Sequence, residues 1–223
     1  MKNPCVVFDL DGTLADTSGD LLAAANHCFR ALGLGDVLEH GRDSGTALRG
    51  GKSMLKAGFE RVGWQDMDEV DRQYPVLLAA YEKDIDRETV LYPGAMDAIA
   101  ELKVRGYAVP ICTNKPEGLA RLLMTRLGVL SEFDGLIGAD TLPTRKPDVA
   151  PYWASVDQAG GDRARSCLIG DSITDHKTAR AAGVPSILVS FGPAAQDNAD
   201  MNPDALLASF ADLPDLMDRI LAP

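Results

Sequence analysis

The chain has 223 residues, of which 46% are hydrophobic and 25% charged, and its formal net charge is -11. That length suffices for one large domain or for a medium domain carrying a smaller one, and the composition is that of a folded protein rather than a disordered one. The negative charge, with no basic block to offset it, excludes nucleic acid and membranes as expected partners; a small anionic ligand fits only where a metal or a few Lys and Arg supply local positive charge.

The N-terminal stretch MKNPCVVFDL meets an acid after a short apolar run, so it is expected to be neither a signal peptide nor a membrane span, and a cytoplasmic location is expected. Cys5, Cys28, Cys112 and Cys167 lie far apart with no C-x-x-C pair and read as buried thiols of a reducing compartment. The first strand is expected in CVVFDL; it delivers Asp9 and, two residues on, Asp11, before the chain turns at Gly12-Thr13. From Asp16 to about Asp86 no strand is evident. Three helical stretches follow one another instead, GDLLAAANHCFRALG, TALRGGKSMLKAGFERVG with a break at Gly50-Gly51, and DEVDRQYPVLLAAYEKDI.

After this insertion strands and helices alternate. Helical periodicity with Pro or cap residues in front and Gly behind marks PGAMDAIAELKVRG, KPEGLARLLMTRLG and TDHKTARAAG, and strands are expected in YAVPICTN, DGLIGAD, SCLIGD and SILVSFG. This alternation predicts an α/β fold, a doubly wound parallel sheet built from residues 1–15 and 88–223, with residues 16–87 as an all-helical cap. Ligands of such sheets bind beyond the carboxyl ends of the strands, and an insertion after the first strand is expected to hang over that site.

The strand ends carry Asp9 and Asp11, then Thr113 and Asn114, then Asp171, with Asp175 four residues later at a helix start and Lys146 in the TRKP loop. Carboxylates brought to one place repel unless a cation holds them, and a set of oxygen ligands suits a hard ion such as Mg²⁺.

DLDGTLAD, CTN, RKP and GDSITD, in this order and with a helical insertion after the first, resemble the motifs of the haloacid dehalogenase superfamily, and most closely its phosphoglycolate-phosphatase-like branch with a small helical cap. The resemblance covers essentially the whole chain. It implies a Mg²⁺-dependent phosphatase acting on small phosphate monoesters through an aspartyl-phosphate. Asp9 is then the nucleophile, in keeping with the capacity of a carboxylate to split phosphoryl transfer into two steps, and Asp11 the acid and base. The same resemblance assigns the metal to the Asp9 carboxylate, the Asp11 carbonyl and Asp171, with Asp175 as ligand or supporting partner, and the phosphoryl oxygens to Thr113, amides near Asn114 and Lys146. Gly12 permits a tight turn beside the phosphoryl group.

In the cap, Arg49 and Lys52 flank the glycine pair and are candidates for a second anionic group of the substrate. His176 beside Asp175 reads as an exposed residue at a helix start rather than a ligand, and His27 and His40 as structural or surface residues. A phosphomutase of the β-phosphoglucomutase type would keep both acids and stands as the alternative; a non-catalytic phosphate-binding protein would have lost Asp9, Asp11 or Lys146. The expected partner is a small phosphorylated metabolite, and the chain a monomer or homodimer.

Overall fold

Cys5, Val6, Val7 and Phe8 are all fully buried in succession. A strand that alternates no polar residue with its apolar ones is covered on both faces, which places it inside a parallel sheet with helices on either side. The computed structural model describes residues 2–193 and 195–222. The chain divides into two compact units, Met1–Ala15 with Leu91–Pro223, and Asp16–Val90.

In the first unit the elements run β1 (Asn3–Phe8), α5 (Ala95–Val104), β4 (Ile111–Cys112), α6 (Glu117–Arg126), β5 (Leu136–Ile137), α7 (Ala150–Gln158), β6 (Gly161–Gly170), α8 (Ile173–Ala182), β7 (Ser186–Val189), α9 (Ala195–Asn198), β8 (Ala205–Leu207) and α10 (Leu213–Ile220). Six strands form one sheet in the order β5-β4-β1-β6-β7-β8, and every pairing in it is parallel. All five expected strands are present. Strand β8, three residues between Pro203 and Ser209, is too short to carry a periodic signal and was not foreseen. Strand β4 keeps only two of its eight expected residues, because Pro110 cannot donate to the ladder and Ala108 makes only an isolated bridge to Cys5.

Register brings the strand ends level. Phe8 is opposite Ile111 on one side and Ile169 on the other, so the residues that follow each strand emerge from the same edge. Behind that edge Cys5, Val7, Cys112, Tyr152, Val156, Leu168 and Ala179 form a continuous apolar cluster.

The second unit contains α1 (Ser18–Ala31), α2 (Ser44–Ala47), α3 (Gly51–Arg61) and α4 (Glu69–Lys83). Asp16 accepts hydrogen bonds from the backbone N–H and the hydroxyl of Ser18 at 3.0 and 2.7 Å and so opens the first helix. Short strands β2 (Ala15–Asp16) and β3 (Val90–Leu91) pair where the chain passes between the units. The return crossing lies at residue 90, three residues beyond the expected boundary, because the buried Asp20 of α1 holds the backbone N–H groups of Glu88 and Thr89 and the Thr89 hydroxyl. The unit has its own core, in which Phe29 and Phe59 meet edge to face with ring centroids 5.2 Å apart, and Met54, Leu55, Leu77 and Tyr81 are buried.

Its strongest polar tie is the buried Asp43, which accepts two bonds from the Arg61 guanidinium at 2.7 and 2.8 Å and one from the Glu39 N–H at 2.8 Å. Those bonds, led by the one from Arg61, hold the Asp43 carboxyl well below the usual carboxylate range. A folded-state value below the unfolded one adds stability that is present above the ordinary Asp value and lost as pH falls from there through the lowered folded value. Arg61→Ala leaves the buried Asp43 with only Arg42, at 3.3 Å, and is expected to cost about 2 kcal/mol in denaturant titrations at pH 7, with the difference from wild type shrinking as pH falls below the ordinary Asp value.

Candidate active site

The edge formed by β1, β4 and β6 carries the site. Asp9 follows β1, its backbone N–H donating to the Ile169 carbonyl at 2.9 Å, and Thr113 follows β4, its N–H donating to Ile137 at 2.9 Å. The turn after Asp9 closes on Leu10, whose carbonyl accepts from Leu14 N–H at 3.0 Å. Gly12 takes a φ of +82°, a conformation that glycine adopts without a steric penalty.

Lys146 is the electrostatic centre. Its ammonium is buried and lies 3.1 Å from Asp9 Oδ1 and 2.6 Å from Asp175 Oδ1. Burial alone would push this lysine down, but the Asp175 and Asp9 carboxylates overcome it and hold it above its ordinary value. The second Asp175 oxygen accepts from the Ser172 hydroxyl at 2.6 Å and from the Ser172 N–H at 3.2 Å, closing a capping box at the start of α8. Asp9 also accepts from Leu10 N–H at 2.7 Å. Burial pushes Asp9 up to about 7, with Lys146 opposing and Asp175 and Asp11 adding to the rise.

The carboxylates of Asp9, Asp171 and Asp175 offer oxygens within 4.8 Å of one another. Thr13 Oγ1 faces Asp171 Oδ1 at 3.5 Å, whereas Asp171 Oδ2 is buried with no hydrogen-bond partner among the described residues. Burial, reinforced by Asp175 and Asp9, raises the Asp171 carboxyl well above its ordinary value. An orphaned acid oxygen in an all-oxygen cluster fits the donor chemistry of a hard divalent cation.

A family model described as haloacid dehalogenase-like hydrolase matches residues 6–189. The chain belongs to that family. It is similar to the phosphoglycolate phosphatase of Mesorhizobium japonicum, at 37% identity over 99% of this chain and 98% of that one, and to the phosphoglycolate phosphatase of Agrobacterium fabrum, at 36% identity over 99% and 95%. A crystal structure of a predicted phosphoglycolate phosphatase from Haemophilus somnus shares the fold, with a TM-score of 0.82 at 23% identity over 97% of this chain and 98% of its own. Like those relatives, this haloacid dehalogenase-like hydrolase is a phosphatase, a phosphoric monoester hydrolase.

Of the candidate residues, Asp9, Thr113, Lys146, Asp171 and Asp175 are all buried, and Asp11 joins them through Lys115. The Asn114 side chain donates from Nδ2 to the Lys146 carbonyl at 3.0 Å and so steadies the lysine loop. In the other unit the exposed Lys52 binds Asp71 at 2.6 Å and lies 5.3 Å from the Tyr74 ring centroid. Exposed Arg49 ends the turn before Gly50, its carbonyl accepting from Ser53 Oγ at 3.1 Å. His176, expected to be exposed, is half-buried, with Nδ1 3.0 Å from Ser186 Oγ at the start of β7.

Three residues escaped the sequence reading. Thr13 and Lys115 stand beside motif residues, yet side-chain direction is not visible in a sequence. Gly170 ends β6, and a Cβ there would lie 2.3 Å from the Asp175 side chain, so only glycine lets that carboxylate fold back toward Lys146. Gly170→Ala is therefore expected to cost about 1–3 kcal/mol and to lower kcat sharply by displacing the Lys146 partner. An unchanged melting temperature with full phosphate release would show that α8 can shift without cost.

Proposed function

We propose that this phosphatase hydrolyses phosphoglycolate or a closely similar small phosphate monoester, with Mg²⁺ held by the Asp9 carboxylate, the Asp11 carbonyl and Asp171. The observation that carries the reading is the orphaned Asp171 oxygen beside an Asp9 that is pinned by Leu10 N–H and Lys146. Both supports leave Asp9 aimed by rigid elements rather than by a mobile side chain. Asp175, with both oxygens engaged, acts by positioning Lys146.

In the first step an Asp9 oxygen attacks phosphorus and the bond to the substrate's alcohol oxygen breaks, while Asp11 gives that oxygen its proton. In the second step water attacks the aspartyl-phosphate, Asp11 takes a proton from it, and the bond between phosphorus and Asp9 breaks to release phosphate and restore both carboxyls. Lys146 and the Thr113 hydroxyl supply charge and hydrogen bonds to the phosphoryl oxygens throughout. Mg²⁺ supplies the positive charge that keeps Asp9 ionised in a buried place and balances the phosphoryl group. Among the described residues no helix is long and apolar enough to cross a membrane.

Asp9→Asn is expected to abolish phosphate release from every ester in a panel that includes phosphoglycolate, sugar phosphates and nucleoside monophosphates, and Asp11→Asn to lower kcat about 10²–10⁴-fold. Retained turnover in the Asp9 variant would refute the covalent route. Because burial raises Asp9 to about 7 and Asp171 well above its ordinary value, cation binding must displace protons as pH falls below 7. Mg²⁺ affinity is expected to drop by about tenfold per pH unit for each proton displaced. Calorimetry at pH 6 in two buffers of different ionisation enthalpy measures this; equal heats in both would contradict it.

A further inference from the structure

Among the described residues, two basic side chains are buried, Lys115 and Lys146. Lys146 serves the nucleophile through Asp9 and Asp175. The Lys115 ammonium lies instead on the acid, 2.8 and 3.1 Å from the two Asp11 oxygens. Its backbone is fixed from both sides: its N–H donates to Thr113 Oγ1 at 3.1 Å, and its carbonyl accepts from Ala139 N–H at 2.9 Å in the loop after β5. That loop is tied in turn to the start of α6, where Asp140 accepts from Glu117 N–H at 2.7 Å and Thr141 donates to the Glu117 carboxylate at 2.6 Å. The cation is thus presented by a rigid frame.

We propose that Lys115 determines specificity by recognising a carboxylate on the leaving alcohol. The inference rests on the phosphatase reading above, in which Asp11 meets the ester oxygen. An ammonium paired with that acid lies about two hydrogen-bond lengths, roughly 5.5 Å, from the ester oxygen. A carboxylate attached through one methylene places its own oxygens about 3 Å from the same atom, within hydrogen-bond reach of the ammonium. Lysine is suited to this double duty, because its three donors allow a bond to the substrate while one to Asp11 remains. Recognition of the second anionic group therefore resides in the α/β unit, at the residue after Thr113-Asn114.

The test compares phosphoglycolate with carbamoylmethyl phosphate, its neutral amide of the same shape. The wild-type ratio of kcat/KM is expected to favour the carboxylate by about 30-fold, the size of one buried charge-assisted bond. Lys115→Met is expected to bring the ratio below about threefold and Lys115→Arg to retain most of it, because the ratio cancels any general damage to the site. A wild-type ratio near one, or a ratio unchanged in Lys115→Met, would overturn the inference, and the first of these is read without any variant. Asp9-dependent release of p-nitrophenol from p-nitrophenyl phosphate tests the phosphatase reading by itself, since that leaving group carries no carboxylate.

Discussion

One ammonium organises the site. Lys146 is surrounded by protein, and a cation so placed is tolerable only with carboxylates against it. Asp9 and Asp175 provide them, and in return Lys146 opposes the burial and repulsion that would neutralise Asp9. Around this contact the local backbone follows. Gly170 has no side chain because Asp175 needs the space, Ser172 caps α8 while holding the second Asp175 oxygen, and Asn114 ties the carbonyl of the lysine itself.

The charges are divided rather than pooled. Two aspartates separated by a single residue are each given a lysine from a different loop, Asp9 from the segment before α7 and Asp11 from the segment after β4. In the proposed route this separation serves two different chemistries: one aspartate is the unprotonated nucleophile, and the other exchanges a proton with the alcohol and then with water. Asp171 clusters with Asp9 and Asp175 but keeps an oxygen that no described side chain or backbone group satisfies, and the metal site proposed above rests on this deficit.

The helical unit follows different rules. Its stability comes from an aromatic core around Phe29 and Phe59 and from the Asp43–Arg61 pair, and its closure from Asp20 gripping the segment that leads back to the sheet. The lysine that looked available for a substrate, Lys52, has Asp71 and Tyr74 as neighbours, while the buried cation next to the acid belongs to the sheet unit.

Much of this was written in the sequence. Continuous apolar runs ending on Asp9, Thr113 and Asp171 declare buried strands that deliver polar groups to one edge, because strand period and parallel order leave few alternatives. Asp9, Asp11, Thr113, Lys146, Asp171 and Asp175 were legible there as candidates, and Gly50-Gly51 as a break between helices. What the sequence could not show is direction and pairing. Asn114 turns to a backbone carbonyl, Asp175 has both oxygens engaged, His176 meets Ser186, and Lys115, which sits beside a motif and 104 positions from Asp11, closes on that acid. Residue types and their spacing determine which elements form and which ends carry charge; only the tertiary structure decides which charge faces which, because a salt bridge between distant loops depends on side-chain direction and on burial that local patterning does not encode.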